Sequence, residues 1–467
     1  MKRIAILTAG GDTPALNATI YGAVCRANQL RIEVFGLLRG FDSLFNQRLP
    51  HVRLNPLLST IPELDPNYGG SILGSSRTYV DPGNQESLDA IYDRLKKLKI
   101  EGLICIGGDG TLNGLQPLCD GLPTVLAPKT IDNDLGLNYP CEPDKWIREP
   151  NENDPKGFKY KINQSAFVAG PAEIQLEQMV NYATPGYATA VFVSAHGLSR
   201  IRTTAESHRR IGIVEVMGRH SGYIALGTAY GQPDVILVPE VPIDVDRLVE
   251  RVKEIYELQR HVVIVCGEGI IDETGEVLGA SSATQDPSGN VVLSGAAESL
   301  GSILKTEIGN EFFTSHDRTL NASSAIFTRK VGHTQRGGRP LLFDRFNASQ
   351  LGGKAVDMLV ERQNNSVATL QWSKDRGFFV SSATGNSFRD KWGKIHARRL
   401  HPSFYDNETM NVSQTGIEYL LPIFTNAIGH DDVEHMRQTL FDSGNLFRRY
   451  HSVNTDIEKR TTYLSGD

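Results

Sequence analysis

The chain has 467 residues, 40% of them hydrophobic and 22% charged, with a formal net charge of −6. That length allows two or three cores, the mild acidity argues against general nucleic-acid binding, and no apolar run approaches the roughly 18 residues of a membrane helix. Cys25, Cys105, Cys119, Cys141 and Cys266 are scattered and form no Cys-x-x-Cys pair, which suits reduced thiols in the cytoplasm, not a disulfide framework or a zinc site.

The first apolar run, Arg3–Thr8, reads as a strand and is too short for a signal peptide. It enters AGGDTPALNA and then a helical stretch to about Asn28. Ile32–Leu38 is a second strand. YGGSILGSSR, residues 68–77, is a Gly/Ser loop ending in Arg77, whose guanidinium fork matches phosphate oxygens. Glu86–Lys99 is an amphipathic helix with Leu88, Ile91, Tyr92, Leu95 and Leu98 on one face. It feeds the strand Leu103–Ile106, and Thr124–Ala127 is its neighbour. This strand–helix–strand alternation predicts an α/β fold on a right-handed parallel sheet. Tyr139–Lys161, rich in Pro and charge, reads as a surface excursion. Regular structure resumes near Thr184. Strands are expected at Ile211–Val216, Val235–Val238 and Val262–Cys266. A helix over Asp244–Arg260 has Asp244 as its cap. Ala325–Val331 leads into GHTQRGGRPLLFDR, and Gly352–Leu359 is helical. Beyond Arg362 the pattern weakens, leaving Tyr419–Phe424 and Val433–Phe441 as isolated elements.

The chemistry concentrates at Leu103–Asp134. Gly107, Gly108 and Gly110 allow a phosphate to approach the backbone. Asp109, Asp132 and Asp134 lie at the carboxyl ends of neighbouring strands, where open α/β sheets keep their ligands. Phosphoryl transfer needs an acid on the metal and another beside the attacking hydroxyl, which points to Asp109 for Mg²⁺ and Asp132 for the base. The cations such a site requires occur in similar turns: Arg77, Lys129, Arg210, Arg219 and Arg336. His220, His333 and Glu268 flank the same turns, and His333 and Glu268 are suited to sugar oxygens.

LTAGGDTPALNA, GGSILGSSRT, IGGDGT, PKTIDND, SHRRIGIVEVMGRHSGYIAL, the Glu268 turn CGEG and GHTQRGGRPLLFDR fall in one order over residues 1 to 360. Together they resemble the phosphofructokinase family. The resemblance implies a two-lobed α/β fold with the active site between lobes. Its expected segments are a donor lobe at 1–138 plus about 335–385, an insertion at 139–183, a fructose 6-phosphate lobe at 184–334, and a C-terminal extension at 386–467. It implies a donor site of Gly11, Arg77, Gly108, Asp109, Gly110 and Thr111. Asp132 matches the base, with Lys129, Thr130 and Asp134 beside it. Met217, Gly218, Arg219, Glu268, His333 and Arg336 match contacts to the sugar phosphate, and Arg210 an arginine that reaches into a neighbouring subunit of a homodimer or homotetramer. The expected activity is transfer from ATP to fructose 6-phosphate with Mg²⁺ in the cytoplasm. Gly110 leaves room for the α-phosphate of ATP, whereas Lys129 is typical of pyrophosphate users, so pyrophosphate is the alternative donor and a non-catalytic sensor a distant one. Phe327 stands where many members have a further cross-subunit Arg, with Arg329 nearby. Tyr21 and Cys25 replace effector-site arginines, so a weak response to nucleotide or phosphoenolpyruvate effectors is expected.

Overall fold

The computed structural model describes residues 1–464 apart from 77, 79, 82, 152–156, 164–173, 286–290, 436–437 and 440. Two sheets organise the chain. The larger has nine strands. In chain order these are β1 (Arg3–Ala9), β2 (Glu33–Leu37), β3 (His51–Arg53), β4 (Ser75–Ser76), β5 (Leu103–Gly107) and β6 (Thr124–Pro128), then, after strands of other sheets, β15 (Ser366–Ser373), β16 (Gly377–Thr384) and β19 (Thr461–Thr462). They lie in the order β16-β15-β6-β5-β1-β2-β3-β19, with β4 beside the end of β1. The five central strands from β15 to β2 run parallel. The edges are antiparallel, β16 on β15 and β3 with β19 on β2.

The uninterrupted apolar runs of β1 and β5 follow from burial on both faces. Ile104 and Ile106 enter one hydrophobic core, while Leu103 and Cys105 enter the other. Helices Leu16–Gln29 and Leu342–Val360 cross on one face at unusually close range. A Cβ at Gly22 would lie 1.9 Å from the Ser349 carbonyl oxygen, and one at Gly352 would lie 2.0 Å from that of Thr19. The helix starts ten residues before the expected Gly352, and its first turn buries Asp344.

The smaller sheet is wholly parallel. It contains β9 (Ile211–Val216), β10 (Val235–Leu237), β11 (Val262–Gly267) and β14 (Ile326–Lys330), ordered β10-β11-β9-β14. Helix Val245–Gln259 crosses between strands, and the Asp244 side chain accepts the Arg247 N–H at its start, as expected of the cap. Helix Ala296–His316 is anchored by Glu215 of β9, which accepts the N–H groups of Gly295 and Ala297.

Two short antiparallel pairs lie apart from these sheets, β12 (Ala280–Gln285) with β13 (Val291–Leu293) and β17 (Tyr405–Asp406) with β18 (Asn411–Val412). The segment after Asp134 contains a hairpin, β7 (Trp146–Pro150) paired with β8 (Phe158–Ile162). Its Trp146 stacks on His396, 3.8 Å between centroids, and Arg148 lies over Phe158 and Trp392. The excursion is therefore packed against the C-terminal segment. That segment also holds helices Gln414–Phe424 and His430–His435, the second covering the start of the expected Val433–Phe441 element. Among the described residues no helix is long and apolar enough to cross a membrane.

Candidate active site

In each sheet the chain reverses its order of strand addition, and ligands of open α/β sheets gather at the carboxyl ends of strands there. In the large sheet that point lies between β1 and β5, so the turns Gly10–Asp12 and Gly107–Asp109 face each other. The ends of β9, β11 and β14 in the small sheet carry Met217–Arg219, Glu268 and His333–Arg336. The two sets of turns meet. Arg336 donates to the Asp12 carbonyl at 3.3 Å, and its guanidinium lies 2.9 Å from where a Cβ of Gly11 would stand.

Asp132 and Asp134 follow β6 in a tightly held loop. The Thr130 hydroxyl accepts the Asp132 N–H at 3.1 Å. Asn133 between them adopts φ +57°. Its side chain accepts the Thr184 N–H at 2.9 Å and donates to the Tyr419 hydroxyl at 2.6 Å. Thr184 also donates to the Thr130 carbonyl at 2.9 Å, so the chain returns onto this loop after the long excursion. Oδ1 of both Asp132 and Asp134 is buried without a hydrogen-bond partner. An acceptor of this kind is costly unless a ligand completes it.

Burial raises the pKa of Asp132, and Arg336, Arg219 and Lys129 oppose that rise while Asp109 adds to it. Burial, with the charges of Asp109 and Asp132, pushes Asp134 up to about 7. Glu268 is also pushed up to about 7, by burial first and then by Asp132. Its Oε1 accepts the Arg219 N–H at 3.1 Å, which fixes the MGR turn. Gly218 in that turn has φ +138°, open to glycine and strained for any side chain. Lys129 is buried and donates to the Gly11 carbonyl, joining the first and third turns of the large sheet. Asp12, in contact with this pair, is raised by burial against the charges of Lys129 and Arg336.

The motif residues thus fall into one cleft. Gly11, Gly108, Asp109, Gly110 and Thr111 line its large-sheet side, and a Cβ at Gly110 would meet nothing within 4 Å. Thr130, Asp132 and Asp134 are buried after β6, with Met217, Gly218, Arg219, Glu268 and Arg336 at the ends of the small sheet. His333 is exposed on the short turn Gly332–Gln335 at the same ends. That turn is tied down by Gln335, which accepts the Ser194 hydroxyl at 3.1 Å. His220 is exposed, and desolvation of its ring, with the charges of Arg399 and Arg219, lowers its pKa. Arg77 lies outside the described residues. Arg210 is not in the cleft: it precedes β9, at the opposite end of the strand from Arg219.

Three supports of the site carry no motif. Arg398 bonds to the backbone around Asn133, Asn181 donates to the Leu135 carbonyl at 2.6 Å, and Tyr419 receives the Asn133 amide. None has a local signature; their only signal is polarity inside otherwise apolar surroundings. Lys330 adds a fourth, 2.8 Å from Glu215 and close enough to Glu268 to act on its charge.

No group of three or more His, Cys, Asp or Glu that could hold a metal ion occurs among the described residues. What they offer instead is buried carboxylate oxygens without partners, facing fixed cations between the parallel strand ends of the two sheets. That arrangement defines a phosphoryl-handling site of the doubly wound α/β class. A sequence model described as Phosphofructokinase matches residues 3–139 and 158–359, and the chain belongs to the phosphofructokinase family. It is 31% identical to a protein of Alkaliphilus metalliredigens named ATP-dependent 6-phosphofructokinase, over 79% of this chain and 90% of that one. It is 35% identical to a pyrophosphate–fructose 6-phosphate 1-phosphotransferase of Amycolatopsis methanolica, again over 79% and 90%. The fold matches the crystal structure of a pyrophosphate-dependent phosphofructokinase from Nitrosospira multiformis with a TM-score of 0.67, at 17% identity over 92% of each chain.

Proposed function

We propose that this chain transfers the γ-phosphoryl group of ATP to the 1-hydroxyl of fructose 6-phosphate, giving ADP and fructose 1,6-bisphosphate. The observation that carries this reading is Asp132, a buried carboxylate with an unpartnered Oδ1 surrounded by Arg336, Arg219 and Lys129. Asp132 takes the proton of the 1-hydroxyl as that oxygen bonds to the γ-phosphorus, and the bond from phosphorus to the bridging oxygen of ADP breaks. Lys129 and Arg219 neutralise charge on the transferring group, and the Thr130 hydroxyl holds the loop. Gly11, Arg77, Gly108, Asp109, Gly110 and Thr111 receive the donor. Glu268, Met217, Gly218, His333 and Arg336 receive the sugar phosphate, with Asp134 behind the base.

Mg²⁺ fits this donor set. It binds through one or two carboxylates plus substrate phosphates and water, not an all-protein cage. Asp109 would hold it beside the donor, where it supplies neutralisation of the phosphate oxygens.

The open space at Gly110 favours ATP, because an α-phosphate needs it. The tie from Lys129 to the Gly11 carbonyl favours pyrophosphate as the second reading, since the ammonium is already in the donor turn. A coupled assay with fructose 6-phosphate and Mg²⁺ decides. Turnover with ATP is expected. Turnover only with pyrophosphate replaces the donor, and turnover with neither overturns the kinase reading. Asp132→Ser should lower kcat by about 10³-fold while sugar-phosphate binding stays intact; a near-normal rate would remove Asp132 from its role.

A further inference from the structure

The proposed reaction needs Asp132 aimed at one point, and the loop that aims it has a support outside all the motifs. Arg398 is 2% exposed. Its Nε and Nη2 donate to the Asn133 carbonyl at 3.1 and 2.7 Å, and its Nη1 donates to the Asn181 carbonyl at 2.8 Å. The main chain of the same residue makes two more bonds. Its N–H donates to the Asp134 carbonyl at 2.6 Å, and its carbonyl accepts the Ser221 hydroxyl at 2.9 Å. The guanidinium also lies 4.8 Å from the Tyr223 ring.

Asn133 and Asp134 belong to the loop that carries the base, Ser221 and Tyr223 to the turn that carries Arg219, and Asn181 to the chain that returns behind them. Asn133 lies between Asp132 and Asp134, so its carbonyl sets the orientation of both flanking residues. Ser221 and Tyr223 follow Arg219 in the MGRHSGY turn. Among the described residues no carboxylate accepts a hydrogen bond from the Arg398 guanidinium, so its direct hydrogen-bond partners are carbonyl dipoles, with the charge of Glu142 acting on it from further away. Taking a guanidinium from water is expensive, and only its planar fork reaches two separate carbonyls at once. A lysine there has the charge but no fork.

We propose that Arg398 is a positioning residue for phosphoryl transfer. Its guanidinium ties the Asp132–Asp134 loop to the returning chain at Asn181 and packs over the Tyr223 ring of the Arg219 turn, so that the base and the neutralising cation face the same phosphoryl group. It touches no reacting atom. Tyr405, on the same C-terminal segment, supplies the contrast: its hydroxyl donates to the Ile236 carbonyl at 2.6 Å, away from both turns.

The inference rests on the kinase reading above, and steady-state kinetics of the full-length chain separate the two. If the unsubstituted protein turns over neither donor, the reading fails. If it is active, Arg398→Lys tests the clamp. The expected result is a fall in kcat of about 10- to 100-fold with KM for both substrates within about threefold, because misaimed groups lose rate more than binding. Arg398→Gln, neutral and able to reach one carbonyl, is read by the same criterion if the lysine variant does not fold. Tyr405→Phe should lower the melting temperature and leave kcat unchanged. The clamp is overturned if the Arg398 variant that folds keeps its kcat, or if Tyr405→Phe loses kcat to the same degree, which would make the effect one of general destabilisation.

Discussion

At the level of single residues the cleft holds carboxylates whose protonation differs between folded and unfolded chains. Glu268 is pushed up to about 7 by burial and by Asp132. The folded protein therefore keeps a proton that the unfolded chain releases near pH 4 to 5. Between that range and about pH 7 the folded state binds more protons, so this group's contribution to stability falls as pH rises. Glu268→Gln removes the titration and keeps an acceptor for the Arg219 N–H. It should melt higher than the parent at pH 8, by about 3 kcal/mol in stability, with the difference vanishing near pH 4. Equal melting temperatures at pH 8 would show that folding does not raise the pKa of Glu268. Substrate turnover should fall in the same variant, a trade between stability and activity common in active sites. The acids and cations of this cleft were legible in the sequence because each sits in a short turn of small residues after an apolar strand. Arg398 was not, since its partner Asn133 is 265 residues away and nothing local marks the pair.

Elements tell a similar story. Strands buried on both faces, such as β5 and β11, stand out as apolar runs. β15 did not, because SVATLQWS is buried only over its first half, where it lies beside β6. Helix Leu342–Val360 was legible only from Gly352 because its start has no side-chain cap. Its first turn is held instead by Asp344, which accepts the N–H and hydroxyl of Thr189 at 2.7 and 2.6 Å. Glu215 performs the equivalent task in the small sheet. It is fully buried in β9, holds the start of helix Ala296–His316, and lies 2.8 Å from the Lys330 ammonium. Glu215→Ala strips two N–H groups of their acceptor and removes the direct ion-pair partner of Lys330. A loss of about 3 kcal/mol is expected. Urea unfolding measures it, and an unchanged midpoint would show that the helix start is satisfied in another way.

For the whole molecule the position of Arg210 is decisive. It precedes β9, while Arg219 follows it, and at about 3.3 Å per residue the strand separates them by roughly 20 Å or more. Arg210 cannot serve the cleft of its own chain. The expectation that Arg210 serves a site is therefore an expectation about the site of a second copy, and subunit mixing tests it. Mixing Arg210→Ala protein with Asp132→Ser protein under conditions that exchange subunits should restore activity that neither has alone, because a hybrid contains one site with both groups intact. No recovery after demonstrated exchange would dissociate Arg210 from the site.

The strand order has a consequence for how the protein is made. The large sheet takes β1 to β6 from one stretch of chain and β15 from another, and the whole small sheet is encoded between them. During synthesis β6 leaves the ribosome with its outer edge bare, and it stays so until every strand of the small sheet has emerged. Translation at about 5–20 residues per second makes that a delay of tens of seconds. The small sheet can close on its own contacts during this interval; the large one cannot. The half-finished edge is the species most exposed to pairing with another nascent chain, and the point at which a chaperone would be most useful.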